Sequence, residues 1–415
     1  MIAVVTPEEM AEIDKAAPEP VDVLIGRAGA AVARAAVEML GGTYGRRVIV
    51  VAGKGNNGAD GRAAARRLER RGARVQVVEA TDAAGARLPR ADLVIDAAYG
   101  TGFRGEYNAP DPVGAPVLAV DIPSGVNGLT GEAGEGAARA ARTVTFAALK
   151  PGLLLQSGRS RAGRVDVVDI GLDVSGARVW HVGWPDVAGW LPDRPAETHK
   201  WKSALWIVAG SPGMTGAAHL CARAAMRAGA GTVRLGIPGS GPDPGWLEIV
   251  GRETPETGWD AFVTEDSDRA KALVVGPGLA RTDETRDCVR RLAKAARQPI
   301  VLDADGLHAL GARDEARAVI SGRGAPTLLT PHEGEFARLN GSPVGTDRLA
   351  SVRELAAAIG ATVLLKGSTT IVADPGGEAV FSTTGDPRLA SAGTGDVLSG
   401  IAGAFLAQGL DGLYA

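Results

Sequence analysis

The sequence predicts an α/β protein of two domains, each a three-layer arrangement in which helices cover both faces of a parallel sheet. The chain has 415 residues, more than a single hydrophobic core usually organises. Short apolar strands alternate with helical segments along most of it, which is typical of parallel sheets. The alternation stops in a stretch rich in Trp, Pro and Asp at residues 182–196 and resumes after His199. We therefore predict domains at residues 1–195 and 196–415.

Local patterns place the individual elements. Thr6, Pro7 and Glu9 form a capping box with proline at the first helical position, so a helix begins at Pro7. Further helices are predicted at residues 29–40 and 62–71. Strands of the first domain are predicted at residues 47–52, 74–79, 93–96, 117–121 and 143–147. Strands of the second are predicted at residues 204–209, 232–236, 272–275, 300–302, 327–329 and 362–365.

Composition argues against several classes of function. A net charge of −3 offers no attraction for nucleic acid or an anionic membrane, so we expect neither as a partner. No uncharged apolar stretch reaches the roughly 18 residues of a membrane span, and no secretory signal is visible. The two cysteines, Cys221 and Cys288, lack metal-type spacing, and we predict a reduced, cytoplasmic protein.

A glycine-rich turn follows the first of these strands. Residues 53–58 read GKGNNG and fit the G-x-G-x-x-G pattern, and Glu79 ends the next strand. This is the dinucleotide fingerprint of a Rossmann-like doubly wound sheet, so a dehydrogenase is one interpretation. The amides of Asn56 and Asn57 and the acid Asp60 favour another ligand, because a negative side chain at the helix start would repel a pyrophosphate.

Polar side chains recur at the ends of neighbouring strands. Asp96 and Asp121 each end a strand and lead into glycine-containing loops, and Ser124 lies in the second of these loops. Ligands of doubly wound sheets bind at the carboxyl ends of the strands. The oxygens of Asn57, Asp96 and Ser124 are hard donors that suit an alkali or alkaline-earth ion. The sequence therefore predicts a ligand site with a bound cation here.

The C-terminal half carries the run AGTGD at residues 392–396, followed by a helix. Small residues let backbone N–H groups converge on an anion at the positive end of that helix. Asp396 beside a phosphoryl group could take a proton from an attacking hydroxyl, as in phosphoryl transfer of the ribokinase type. The alternative is an aspartate that only caps a helix. Lys366 and the hydroxyls after it could hold nucleotide phosphates, whereas His332 alone is more typical of a structural histidine.

Four N-terminal motifs occur in order: GNNGADG, DAAYGTGFRGE, VDIPSGVNG and TVTFAALKPGL. Together they resemble the NAD(P)H-hydrate epimerase domain, the N-terminal YjeF-type domain. The resemblance implies epimerisation of a hydrated nicotinamide cofactor at its hydroxylated ring carbon, and potassium bound by Asn57, Asp96 and Ser124. Epimerisation needs a base and a proton source, for which Asp121 and Lys150 are the candidates, although Lys150 could be a solvated strand-end lysine. The implied contacts to hydrated NADH or NADPH are Asn56, Asn57, Gly58, Ala59, Asp60, Gly100, Thr101, Gly102, Phe103, Arg104, Gly105, Glu106 and Asp121.

Five C-terminal motifs, GPGL, LDADGL, TPHEGE, LKGSTT and AGTGDVLSG, resemble the ADP-dependent NAD(P)H-hydrate dehydratase, a ribokinase-like family. The resemblance implies that ADP, or ATP in some relatives, phosphorylates the ring hydroxyl of the S epimer with Asp396 as base. Loss of phosphate then restores NAD(P)H. Magnesium is expected, and Asp303 and Asp305 could act through it. The hydrated cofactor would contact Ala217, Gly278, His332 and Asp396, and the adenine nucleotide would contact Lys366, Gly367, Ser368, Thr369, Thr370 and Gly395.

Three departures from the family pattern stand out. Ala59 replaces a glycine of GNNGGDG, Trp201 replaces the glycine of HKG, and the family continues with helices beyond the position of Ala415. We expect the last two to affect dehydratase activity more than the fold.

We predict a bifunctional repair enzyme for hydrated NADH and NADPH that uses ADP, Mg²⁺ and K⁺ and forms a homo-oligomer. Three alternatives stay open. The chain could be a small-molecule kinase, its N-terminal half could be a non-catalytic binding module, or it could be a dehydrogenase.

Overall fold

The structure is a computed structural model that describes residues 1–241 and 248–415. The chain divides into two compact units, Ile2–His181 and Val182–Ala415 with Met1. This division reflects compactness, and the functional boundary between residues 195 and 196 stays a prediction.

The N-terminal unit alternates strands and helices as predicted. Its strands are β1 (Ile2–Ala3), β2 (Arg47–Ala52), β3 (Arg74–Glu79), β4 (Leu93–Ala97), β5 (Val117–Val120), β6 (Arg142–Phe146), β7 (Arg164–Val168) and β8 (Val179–Val182). Its helices are α1 (Pro7–Ala16), α2 (Val21–Leu40), α3 (Asn56–Glu69), α4 (Ala80–Ala83), α5 (Pro151–Leu154) and α6 (Gln156–Ala162). The capping box of α1 is confirmed, since the Glu9 amide donates to the Thr6 side chain and the Thr6 amide to that of Glu9.

The sheet of this unit runs in the order β3-β2-β4-β5-β6-β7, with every neighbouring pair parallel. The strand order reverses between β2 and β4, which is where doubly wound sheets open a crevice for ligands. Val51 on β2 pairs with Asp96 on β4, so the glycine-rich turn after β2 lies beside that acid. The register therefore assembles the N-terminal site at this edge of the sheet.

Helices α2 and α3 pack closely through small residues. A Cβ on Gly29 would lie 2.5 Å from the Cβ of Ala63, so glycine permits this approach. Helix α2 begins at Val21, before the predicted start at residue 29. The prediction starts too late because Gly26 and Gly29 weaken the apolar pattern of the first half of the helix. Helix α3 begins at Asn56 directly after the turn, without a side-chain cap, and its first amides remain available at the crevice.

The C-terminal unit is also α/β. Its strands are β9 (Ala204–Val208), β10 (Thr232–Gly236), β11 (Ile249–Arg252), β12 (Ala272–Val275), β13 (Ile300–Leu302), β14 (Thr327–Leu329), β15 (Thr362–Leu365), β16 (Thr370–Ala373) and β17 (Ala379–Ser382). Its helices are α7 (Trp184–Trp190), α8 (Thr215–Arg227), α9 (Trp259–Asp266), α10 (Asp283–Ala295), α11 (Asp305–Leu310), α12 (Arg313–Ile320), α13 (Glu333–Asn340), α14 (Arg348–Ile359) and α15 (Thr394–Ala407).

The strands of this unit lie in the order β17-β16-β15-β14-β13-β12-β9-β10-β11. Pairing is parallel from β15 to β11 and antiparallel through β16 and β17. The predicted parallel strands are confirmed, and the antiparallel β16–β17 extension is an addition to them. The predicted class of two α/β domains, the first with a Rossmann-like doubly wound sheet, is thereby confirmed. No helix within the described ranges has both the length and the apolar character that a bilayer span requires.

Candidate active sites

A cavity of about 650 Å³ opens at the carboxyl ends of β2, β4 and β5 in the N-terminal unit. Side chains from α1 and α2, among them Met10 and Leu24, form an apolar part of its wall. The predicted site residues that line it are Asn56, Asn57, Asp60, Gly100, Thr101, Gly102, Phe103, Asp121 and Lys150. The structure therefore gathers most of the predicted substrate contacts around one space large enough for a small ligand.

An ion pair lies at the base of the cavity. The Lys150 side chain is 1% exposed, and its Nζ donates to Asp121 Oδ1 at 2.7 Å, to Thr145 Oγ1 at 2.8 Å and to Phe146 O at 3.1 Å. Thr145 Oγ1 donates to the same carboxylate oxygen at 3.0 Å. Asp121 Oδ2 lies 3.5 Å from the position of a Cβ on Gly100. The ammonium protons are thus used within the protein, whereas Asp121 Oδ2 accepts no hydrogen bond from the described residues and can contact a ligand.

The backbone at this pair adopts an uncommon conformation. Asp121 and Ala147 have φ values of 66° and 60°, in the left-handed region. Aspartate tolerates this region better than most residues, whereas alanine has no such advantage. Strain of this kind is often found at functional sites, and here it accompanies the residues that hold the Asp121–Lys150 pair.

Two further carboxyl groups face the same cavity, Asp60 from α3 and Asp14 from α1. Burial, followed by the charges of Asp121 and Asp14, raises the pKa of Asp60 to about 8. Burial also raises the pKa of Asp14, opposed by Lys150 and reinforced by Asp121. Asp60 is therefore mostly protonated at neutral pH and is able to donate a proton. The sequence argument that a negative Asp60 would repel a pyrophosphate is wrong, because the acid is largely neutral.

A buried polar cluster adjoins the cavity at the end of β4. Ser124 Oγ donates to Asp96 Oδ1 at 2.6 Å, and the Ser124 amide donates to Asp96 Oδ2 at 2.8 Å. Both atoms of the Asn57 side-chain amide are buried without a hydrogen-bond partner among the described residues. Leaving such a group unpaired costs about 1–3 kcal/mol, which indicates that a ligand completes it. The structure thus joins Asp96 to Ser124 and leaves Asn57 open to a ligand.

The remaining predicted contacts are Gly58, Ala59, Arg104, Gly105 and Glu106, and none is among the residues that line the cavity. Position 58 requires glycine for a structural reason, because a Cβ there would lie 1.9 Å from the carbonyl oxygen of Gly53. Arg104 Nη1 donates to the carbonyl oxygen of Phe103 at 3.2 Å, within its own loop.

A second cluster forms in the C-terminal unit around a buried carboxylate. Asp303, which follows β13, is 2% exposed. It accepts hydrogen bonds from Lys366 Nζ at 2.9 Å and from Ser399 Oγ at 2.6 Å. Lys366 Nζ also lies 3.8 Å from Glu335 Oε2. Residues that are distant in sequence therefore converge at the carboxyl edge of the parallel strands.

The AGTGD turn lies against this cluster. Gly393 has a φ of 90° and precedes α15, whose N-terminus has no side-chain cap. A Cβ on Gly395 would lie 3.6 Å from Lys366 Nζ and 3.7 Å from Asp303 Oδ2. Asp396 stands in the first turn of α15, and burial together with the charge of Asp303 raises its pKa against the opposing effect of Lys366. The arrangement offers uncapped amides, a lysine and a carboxylate to one ligand.

The other predicted site residues of the C-terminal unit cap a helix, lie beside one another or connect two strands. His332 Nδ1 accepts from the Gly334 amide at 3.0 Å and from the Glu335 amide at 3.3 Å, so this imidazole caps α13. Ala217 and Gly278 are neighbours, since a Cβ on Gly278 would lie 3.1 Å from the Ala217 Cβ. The predicted nucleotide residues Gly367, Ser368, Thr369 and Thr370 connect β15 to β16.

Of the two acids in the LDADGL motif, Asp303 joins the cluster and Asp305 forms other contacts. The Asp305 carboxylate accepts from Arg281 Nε at 2.8 Å and from the Ala280 amide at 3.1 Å. Sequence reasoning did not single out Asp14 or Ser399. Asp14 lies among other charged residues of an amphipathic helix, and Ser399 is one more small residue in a small-residue helix, so neither carried a signal.

Two family models match parts of this chain. A family model described as NAD(P)H-hydrate dehydratase matches residues 205–415. A model described as YjeF-related protein N-terminus matches residues 21–87 and 78–152.

Relatives cover most of the chain. It is 41% identical over 397 residues to the bifunctional NAD(P)H-hydrate repair enzyme Nnr of Mycobacterium tuberculosis H37Rv, covering 89% of this chain and 80% of the relative. It is 35% identical over 472 residues to the enzyme of that name from Moorella thermoacetica, covering 98% and 88%. Among solved structures, the ADP/ATP-dependent NAD(P)H-hydrate dehydratase from Bacillus subtilis, co-crystallised with ATP and Mg²⁺, is 31% identical with a TM-score of 0.48, over 57% of this chain and 84% of that one.

Proposed function

The chain belongs to the family of bifunctional NAD(P)H-hydrate repair enzymes, and on that premise we propose how its own residues perform the two steps. Residues 1–195 interconvert the R and S epimers of hydrated NADH and NADPH. Residues 196–415 convert the S epimer back to NAD(P)H with ADP as the phosphoryl donor, releasing AMP and phosphate.

In the epimerase site, Asp121 is the base. Its Oδ1 is held by Lys150 and Thr145, which fixes the orientation of the carboxylate while Oδ2 faces the ligand. Lys150 acts mainly by positioning Asp121, because its ammonium protons are already bonded within the protein. Asp60, with a pKa of about 8, is the proton source.

Potassium suits the cluster of Asn57, Asp96 and Ser124. These side chains offer the oxygen donors that alkali ions prefer, and the unpaired amide of Asn57 is the sign of an incomplete shell. A bound cation would supply positive charge at this end of the cavity, and the three residues would hold it there.

In the dehydratase site, Asp396 removes the proton from the ring hydroxyl of the S epimer. The hydroxyl oxygen then attacks the terminal phosphorus of ADP, and AMP leaves with the bridging oxygen. Lys366 and the uncapped amides of the Gly393–Gly395 turn stabilise charge on the transferring group. Phosphate departs from the ring carbon with its bonding electrons while the electron pair of the ring nitrogen forms a C=N bond. The neighbouring ring carbon then loses a proton to water, its C–H electrons form the ring C=C bond, the nitrogen regains its electron pair, and NAD(P)H is restored.

Of the two acids predicted to act through magnesium, Asp303 is the one placed to hold it, because Asp305 is engaged by Arg281 and the Ala280 amide. Protein sites usually bind Mg²⁺ through one or two carboxylates together with nucleotide phosphates, and Asp303 lies beside the glycine turn. The ion would neutralise phosphate charge when it is bound.

The observation that carries the proposal is the pair of separate carboxylate–lysine centres, Asp121–Lys150 in one unit and Asp303–Lys366 beside Asp396 in the other. Two variants test it. Asp121→Asn should consume only the S epimer, and Asp396→Asn should exchange epimers without forming NADH. Mixing the two should restore conversion of both epimers. A stable phosphorylated product without NADH would instead favour a small-molecule kinase.

The proposal also covers the small-molecule partners, the location and the assembly of the protein. Hydrated NADH, hydrated NADPH and ADP are the small-molecule partners, the expected location is the cytoplasm, and the expected assembly is a homo-oligomer. The two cysteines, both buried and free, support a reducing compartment.

A further inference from the structure

The N-terminal cavity extends beyond the residues used in the proposed chemistry. It continues along the glycine-rich turn to the end of β3, where Glu79, Ala80 and Thr81 form part of the wall. Ala52 on β2 pairs with Glu79 on β3, so the acid stands beside the start of the turn. A carboxylate thus lies at the end of the cavity that is formed by the turn and the neighbouring strand.

Glu79 is held in place by an arginine of helix α3. Arg62 Nη2 donates to Glu79 Oε1 at 2.6 Å, and Arg62 Nη1 donates to the Gly53 carbonyl oxygen at 2.7 Å. The Glu79 side chain is 46% exposed, so it remains accessible from the cavity. Arg62 therefore ties the acid to the turn, and the acid in turn neutralises the guanidinium.

We propose that Glu79 accepts a hydrogen bond from the 2′-hydroxyl of the substrate's adenosine ribose and makes the epimerase site prefer hydrated NADH to hydrated NADPH. This inference rests on the proposed epimerase function. In strand–turn–helix–strand units with this glycine pattern, an acid at the end of the second strand recognises the ribose diol. A 2′-phosphate at the same place would meet a fixed negative charge and lose affinity.

Two cationic side chains near Glu79, Lys54 and Arg62, also affect the expected preference. Lys54 of the turn also lines the cavity and attracts a phosphate, but Arg62, the cation nearest the acid, is occupied by Glu79. Replacing Glu79 by glutamine removes the repulsive charge and also releases Arg62 to bind a 2′-phosphate. Both effects move the preference towards hydrated NADPH.

The test uses the full chain carrying Asp396→Asn, so that the dehydratase does not consume the substrate. Exchange between R and S epimers is followed by chromatography for hydrated NADH and hydrated NADPH separately, and kcat/KM is obtained for each. We expect a preference for hydrated NADH in this parent. Adding Glu79→Gln should shift the ratio about tenfold towards hydrated NADPH, equivalent to about 1.4 kcal/mol. Adding Arg62→Met as well should remove much of that gain.

Glu69→Gln is the matched control, because it removes the same charge from an exposed position at the end of α3, the helix that carries Arg62. It should leave the ratio unchanged. An unchanged ratio in Glu79→Gln, with exchange still measurable, would overturn the inference and leave the epimerase function standing. A parent that exchanges neither substrate would overturn the epimerase function and the inference with it.

Discussion

The buried acid Asp60 should make the N-terminal unit less stable as pH rises. Its pKa is about 8 in the folded chain against an ordinary value of 3.8, chiefly because of burial. Between these values the folded state holds a proton that the unfolded state has lost, so folding is increasingly disfavoured as pH rises from about 4 to 8. Asp60→Asn stays neutral at every pH and should escape this effect.

The magnitude follows from the separation of the two pKa values. One pKa unit corresponds to about 1.36 kcal/mol, so a separation of about four units amounts to on the order of 5 kcal/mol at pH 8 and above. The advantage of Asp60→Asn over the natural chain should therefore be near zero at pH 4 and grow through neutral pH. The rate of epimer exchange in Asp60→Asn should fall about 100-fold or more, because the variant lacks the proposed proton donor.

Hydrogen-exchange mass spectrometry in urea can measure the unfolding of this unit alone, using peptides from Arg47–Glu79. Midpoints are compared between the natural chain and Asp60→Asn at each pH from 5 to 8, so that the intrinsic pH dependence of exchange cancels. Asp82→Asn, an exposed aspartate of α4, is the control and should show no such trend. A stability difference between Asp60→Asn and the natural chain that does not change with pH would refute the reasoning.

Three further substitutions separate the two sites. Lys150→Met leaves Asp121 without its buried partner, so epimer exchange should fall at least 100-fold in a chromatographic assay and the N-terminal unit should lose about 3–5 kcal/mol in urea unfolding. Dehydration of purified S epimer by the same variant, followed by absorbance, should be unchanged. Ser399→Ala removes a hydrogen bond to buried Asp303 and should lower the dehydratase kcat about tenfold. Ser399→Thr keeps a hydroxyl and should recover part of the loss. Equal activity in the natural chain, Ser399→Ala and Ser399→Thr would contradict a positioning role for Ser399. Gly53→Ala would place a Cβ 1.9 Å from the Ala98 carbonyl oxygen, so the N-terminal unit should unfold at lower urea while the unfolding midpoint of peptides from the C-terminal unit stays the same.

Much of the fold was predictable because the signals were local. The parallel strands are short apolar runs buried on both faces, such as β2 and β9, and glycine-rich turns separate them from helices. What the pattern missed depends on pairing in space. Strand β1 is two residues long and forms through its antiparallel pairing with β8 and a hydrogen bond from the Leu149 amide to the Ala3 carbonyl oxygen. Helix α2 begins with a glycine-containing stretch that packing against α3 stabilises.

The site residues divide in the same way. The sequence predicts Asn57, Asp121 and Asp396 as site residues, because each lies in or beside a glycine-containing motif that is typical of a ligand turn. Asp14 and Ser399 were not identified, because their significance comes from neighbours brought close by the fold. The protonation of Asp60 could not be read from the sequence either, since burial determines it.

Recovery of NADH from a mixture of both hydrated epimers tests the central claim most directly. The natural chain is supplied with the mixture, ADP, Mg²⁺ and K⁺, and the near-ultraviolet absorbance of NADH is followed to completion. Complete recovery is predicted, because the epimerase site converts the R epimer to the S form that the dehydratase site consumes. A plateau once the initial S epimer is exhausted would contradict the epimerase function, and no recovery with either ADP or ATP would contradict the dehydratase function.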